Sequence, residues 1–171
     1  DIETTGLDTE KHEIIELGVV IAKMKDGVFT VTDKLDVKIQ PKHIENADPV
    51  ALRVNGYNEG DWLFGTSIEE ALKSFALKTD GAIFTAHNMA FDYGFVEANL
   101  KRYNIPHTMH YHKLDTISVA FGVLQNSNDD IGKYSLRVLC EKYGIINPHA
   151  HSAYADAYAT YEVFKKLLNL K

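Results

Sequence analysis

The sequence predicts one α/β domain, residues 1–171, built on a mixed sheet flanked by helices. Three observations carry this reading. Two long β-branched runs flank a turn early in the chain, strand-then-helix units follow them, and the remainder has helical periodicity with no internal repeat, linker or low-complexity tract. The length, 171 residues, suits one domain able to bury a full core.

Asp1 to Glu3 reads as extended. Glu13 to Met24 is apolar at Ile14, Leu17, Val19 and Ile21 and dominated by β-branched residues, which predicts a central strand. Lys25-Asp26-Gly27 turns the chain, and Val28 to Ile39 alternates well enough to be its antiparallel partner. After Pro41, turn residues at Pro49, Asn55-Gly56 and Asn58-Glu59-Gly60 leave room for at most one short helix, around Val50 to Arg53. Thr66-Ser67, with Glu69 and Glu70 behind them, starts a helix carrying Ile68, Leu72, Phe75 and Ala76 and ending before Asp80-Gly81. Ala82 to Ala86 is a short strand, followed by a helix through Phe95, Val96 and Leu100 that stops near Pro106. Tyr111 to Val123 repeats the strand-and-helix pattern. Ser135 caps a helix that ends at Gly144, and the last helix spans Ser152 to Leu170.

Composition excludes several classes. Apolar residues make up 45% and charged residues 25%, which fits neither a disordered nor a collagen-like chain. No apolar run is long enough to span a bilayer, so no membrane partner is expected. Cys140 has no internal disulfide partner, which points to a reducing compartment and a cytoplasmic location. The net charge of −6 argues against a broad polyanion-binding surface, and the acidity is concentrated in the first half. A nucleic-acid ligand would therefore be gripped over a short stretch, with help from cations at the carboxylates.

Three acidic segments carry the chemistry. In an extended Asp1-Ile2-Glu3 the two carboxylates project from the same face, where a hard divalent ion can bridge them. Asp92 stands among Phe91, Tyr93 and Phe95 at the start of a helix that follows a strand. It is costly to bury unless paired, and on its own terms it reads equally well as the polar face of that helix. His151 precedes Asp156 by five positions near the start of the last helix, where small Ala157 and Ala159 would let the helix approach the sheet closely.

Taken in order, Asp1-x-Glu3, then Asp92 within His-Asn-x-x-Phe-Asp, then His151 with four residues before Asp156, resemble the three motifs of the DEDDh 3′–5′ exonucleases. That family includes the proofreading (epsilon-like) subunit of bacterial DNA polymerase III, ribonuclease T and oligoribonuclease. The resemblance runs to about Phe164 and implies a ribonuclease H-like fold with a five-stranded mixed sheet. It implies that Asp1, Glu3 and Asp156 hold one Mg²⁺ or Mn²⁺ ion, that Asp1 shares a second, and that Asp92 supports the second largely through water. Two such ions about 4 Å apart clamp a scissile phosphate. His151 would be the general base, since histidine, with an ordinary pKa near 6.5, is poised to accept a proton at neutral pH. A sister subfamily uses a tyrosine four residues before the last acid, but position 152 is serine.

The same resemblance gives Thr4 and Leu7 contacts to the terminal nucleotide, Phe91 a stacking face and Asn88 a polar contact, although Leu7 and Phe91 read equally well as core. Lys101, Arg102, Lys133 and Arg137 are candidate phosphate contacts or plain solvated surface. The partner implied is a single-stranded DNA or RNA 3′ end, from which nucleoside 5′-monophosphates would be released. A homodimer or a polymerase are further candidate partners. The family has an apolar strand leading into the first acid, so the first strand here reads as truncated on its N-terminal side.

Other functions stand beside this one. His107, His110, His112, His149 and His151 invite a zinc reading, but structural zinc commonly uses thiolates and the chain has one cysteine. A catalytically silent nucleic-acid-binding or interaction module on the same fold would have no need of all four acids and the histidine. A phosphodiesterase acting on small nucleotides is the third possibility.

Overall fold

A computed structural model describes residues 1–125 and 134–168. Three strands come first: β1 (Ile2–Thr4), β2 (Ile14–Lys25) and β3 (Val28–Lys38), in the antiparallel order β1-β2-β3. Asp26 and Gly27 join β2 to β3 with φ of 51° and 76°, the left-handed pair that matches the twist of a two-residue hairpin.

The excursion after β3 is more ordered than its turn residues suggest. It holds a 3-10 turn (Ile44–Asn46), then α1 (Pro49–Val54) capped by Asp48, and a second short helix, α2 (Glu59–Trp62). The expectation of at most one short helix here is therefore corrected. Asn58, read as a turn residue, is the N-cap of α2, and the buried Trp62 fastens that helix by donating Nε1–H to Ile15 O at 2.8 Å.

Helix α3 (Ile68–Lys78) starts with a reciprocal Ser67–Glu70 capping box, as its sequence predicts. Strand β4 (Phe84–Ala86) leads into α4 (Met89–Arg102), and β5 (Lys113–Asp115) leads into α5 (Thr116–Leu124). Helices α6 (Leu136–Tyr143) and α7 (Ala153–Leu167) complete the described chain. Gly144, at φ 66°, ends α6 in the left-handed conformation.

The five strands form two hydrogen-bonded groups among the described residues, with β4 and β5 parallel to each other and apart from β1-β2-β3. This refines the expected five-stranded sheet. On the side of β1 away from β2, the Ile2 N–H donates to the Asp92 carboxylate at 3.0 Å, so a side chain takes a bond that a neighbouring strand would otherwise accept.

Two apolar clusters flank this framework. Ile2, Leu17, Leu35, Ile68, Leu72, Phe75, Phe95 and Leu100 pack the sheet against α3 and α4. Ala120, Leu139, Cys140, Ala159, Val163 and Leu167 join α5, α6 and α7. Cys140 is buried with a free thiol. No helix among the described residues is long and apolar enough to cross a membrane.

Candidate active site

Strand β2 holds both acid-bearing segments in place. Gly18 exchanges backbone hydrogen bonds of 3.0 Å with Asp1, which extends the β1–β2 pairing to the first acid. Two residues earlier on the same face, Glu16 accepts from Ala153 N at 3.0 Å. Ser152 makes no side-chain cap, so this carboxylate, reaching from the sheet, caps α7 in its place. Gly18 is what permits the approach, because a Cβ there would lie 2.2 Å from the carbonyl carbon of Ala153 and the nitrogen of Tyr154. The close contact anticipated from Ala157 and Ala159 is thus made by Gly18 and Ala153.

Asp156 lies in the first turn of α7 and is gripped by the loop before it. Its Oδ1 accepts from Asn147 Nδ2 at 2.5 Å and its Oδ2 from the His151 backbone N–H at 3.0 Å. His151 sits at φ 68°, a left-handed conformation that histidine visits more readily than most residues, and its side chain is exposed.

Ligand atoms of Glu3, His151 and Asp156 all lie within 4.8 Å of one another, the group of this kind found among the described residues. Asp1 and Asp92 stand outside that group. Asp92 is nevertheless adjacent, with its Oδ1 4.0 Å from the Asp1 nitrogen and its charge felt at Glu3. It is 3% exposed, so the polar-face reading is corrected: Asp92 is buried under β1.

Burial, then the neighbouring Asp156, Glu16 and Asp92 carboxylates, push Glu3 up to about 8. Burial likewise raises Asp92. A hard oxygen donor set with crowded like charge is what a divalent cation would stabilise, so the residues fit the ions that the motifs imply. The sign of the linkage follows. Glu3 titrates near 4.5 when unfolded and at about 8 when folded, so the folded chain binds more protons in between and loses stability as pH rises across that window. We expect EDTA-treated protein to melt at a lower temperature near pH 8 than near pH 6. Glu3→Gln should shrink that difference, and an unchanged difference would refute the assignment.

The turn between β4 and α4 is tied to the start of α5. Asn88 N donates to Asp115 Oδ1 at 3.3 Å, and His87 Nδ1 is 2.9 Å from Thr116 Oγ1. Asn88 is exposed at φ 68°. Phe91 is half-buried against the first cluster, 5.1 Å from Phe95. Leu7 is 80% exposed and so is not core. Thr4 is buried, and its hydroxyl donates to Gly6 O at 2.7 Å.

Of the candidate phosphate contacts, Lys101 pairs with Glu97, Arg102 with Glu10 and Arg137 with Glu141, while Lys133 lies outside the described residues. Of the histidines of the zinc reading, His107 faces Glu97, while His110 and His112 pack on Tyr111 with their own rings 4.9 Å apart. Glu16, Asn147 and Asp115 were missed from sequence. Glu16 acts through Ala153, far along the chain, and Asn147 through Asp156 across the loop, so no local pattern marks either; Asp115 carries a local signal, the N-cap it gives Ile117 N, but its second bond to Asn88 does not show in the sequence.

A family model described as exonuclease, that of the RNase T family, matches residues 1–164. The chain belongs to this exonuclease family. It is 32% identical over 171 residues to the PolC-type DNA polymerase III of Caldanaerobacter subterraneus subsp. tengcongensis, covering 98% of this chain and 11% of that protein. The corresponding polymerase of Staphylococcus aureus is 31% identical over 169 residues, again 98% and 11%. The chain therefore spans about a tenth of the length of these curated relatives.

Among solved structures, the nuclease domain of 3′hExo, a DEDDh family member bound to rAMP, superposes with a TM-score of 0.74 at 15% identity, covering 100% of this chain and 92% of that one. Escherichia coli exonuclease I in complex with a dT13 oligonucleotide gives 0.74 at 19% identity, covering 98% and 39%. These likenesses establish the ribonuclease H-like α/β fold for the family member described here.

Proposed function

We propose that residues 1–171 form one 3′–5′ exonuclease domain that removes nucleoside 5′-monophosphates from single-stranded DNA or RNA ends, with His151 as general base. The observation that carries this reading is the convergence of Glu3, from the first strand, with His151 and Asp156, at the start of the last helix, within 4.8 Å. A silent binding module has no use for a histidine set beside two half-buried acids. The solved neighbour with a dT13 oligonucleotide bound supports a single strand as ligand, and the one bound to rAMP supports a nucleotide.

In this reading Asp1, Glu3 and Asp156 hold one Mg²⁺ or Mn²⁺ ion, Asp1 shares a second, and Asp92 supports the second, largely through water. Such ions supply positive charge to the scissile phosphate and to the oxygens entering and leaving it. His151, exposed at the rim, takes the proton of the attacking water. Leu7, exposed on the loop after β1, and the half-buried Phe91 offer apolar faces to the terminal base, which stacking would hold without regard to sequence. Asn88 would make a polar contact from the start of α4. Thr4 serves through its place in the β1 turn. The PolC-type relatives make a polymerase the partner this reading favours.

The test is incubation of 5′-labelled DNA and RNA oligonucleotides with Mn²⁺ or Mg²⁺. A ladder shortening from the 3′ end, abolished by EDTA, is the expected result. Binding without cleavage would instead establish the silent module, and cleavage confined to dinucleotides the small-nucleotide phosphodiesterase.

A further inference from the structure

We propose that Asn147 is a positioning residue for Asp156, setting how that carboxylate is presented to a divalent cation. The inference rests on the reading of Asp156 as a cation ligand. Asn147 precedes Pro148 in the loop between α6 and α7, where an asparagine ordinarily serves a turn or caps the next helix. Here it does not cap α7, because the free Ala153 N–H is already taken by Glu16. Its amide instead crosses to Asp156, donating from Nδ2 to Oδ1 at 2.5 Å, while the His151 N–H takes Oδ2 at 3.0 Å.

Both carboxylate oxygens are thereby bonded from one short loop, and the plane of the group is fixed. An ionised carboxylate has about four lone-pair sites. With one on each oxygen engaged, the others are left for a cation, and a carboxylate oxygen of Asp156 lies within 4.8 Å of ligand atoms of Glu3 and His151. Outer donors of this kind orient ligating carboxylates, and their removal typically costs about 10–100-fold in metal affinity. The loop thus both carries the proposed base and aims the acid.

The experiment compares the full chain with Asn147→Leu, which keeps the volume and removes the donor, and with Asn147→Ser as a second variant should leucine impair folding. EDTA-stripped protein is titrated with Mn²⁺ by electron paramagnetic resonance. Affinity is expected to fall about 10–100-fold. Hydrolysis should recover at saturating Mn²⁺, with the pH–rate profile unchanged in shape. Wild-type Mn²⁺ affinity in a folded variant would overturn the proposal, as would a rate loss that Mn²⁺ does not restore. If the unsubstituted chain binds Mn²⁺ without cleaving any strand, the exonuclease reading falls while the affinity comparison still decides the role of Asn147. Failure of the unsubstituted chain to bind Mn²⁺ overturns both.

Discussion

His151→Ala is expected to slow strand hydrolysis by roughly two to four orders of magnitude, the usual scale for losing a general base, while Mn²⁺ binding persists. The contacts of this position make the variant informative, although its φ of 68° suits alanine less well than histidine, so a melting curve accompanies the rate. The group that His151 gives to Asp156 is its backbone N–H, at 3.0 Å, which alanine retains. The side chain is exposed, so its removal leaves no cavity. Glu3 and Asp156 remain as oxygen donors. Single-turnover rates at saturating Mn²⁺, with Mn²⁺ binding followed separately, check the expectation. A near-wild-type rate would remove His151 from the reaction.

The second large effect is structural. Gly18→Ala should destabilise the fold by about 2–3 kcal/mol or more, at the upper end of overpacking costs, which lowers the melting temperature by roughly 5–10 °C for a domain of this size. The added Cβ would stand 2.2 Å from backbone atoms of Ala153 and Tyr154, and neither can rotate away. Relief requires α7 to lift off β2, stretching the Glu16 bond to Ala153 N and carrying Asp156 away from Glu3. Displacement of about 1 Å can cost on the order of 100-fold in rate. Thermal melts and rates measured together should therefore fall together. An unchanged melt would mean that α7 is seated some other way.

The elements most legible in the sequence are those with strong local patterns. The β2–β3 hairpin declares itself by β-branched runs around Asp26-Gly27, and α3 by its Ser67–Glu70 box. The candidate acids stand out only as an ordered set resembling the DEDDh motifs; taken singly, Asp1-x-Glu3 and His151 with Asp156 read equally well as structural. Helix α2 escaped because its four residues have too short a period to read, and its anchor is the tertiary bond from Trp62 to Ile15. Glu16 escaped for a related reason. Inside a β-branched run it reads as an interruption, and only the packing of α7 turns it into a helix cap. The burial of Asp92 was equally unreadable, since the group it satisfies is the Ile2 amide, 90 positions away in sequence.

That last bond bears on how the proposed exonuclease could be disarmed. Stripping an acid is the obvious way to make an inert trap for a bound strand, yet removing the carboxylate at 92 would also unzip the seam beside β1 by leaving the Ile2 amide with nothing to hold. A decoy intended to capture substrate in its native pose is better made at the rim, where silencing the chemistry leaves the masonry standing.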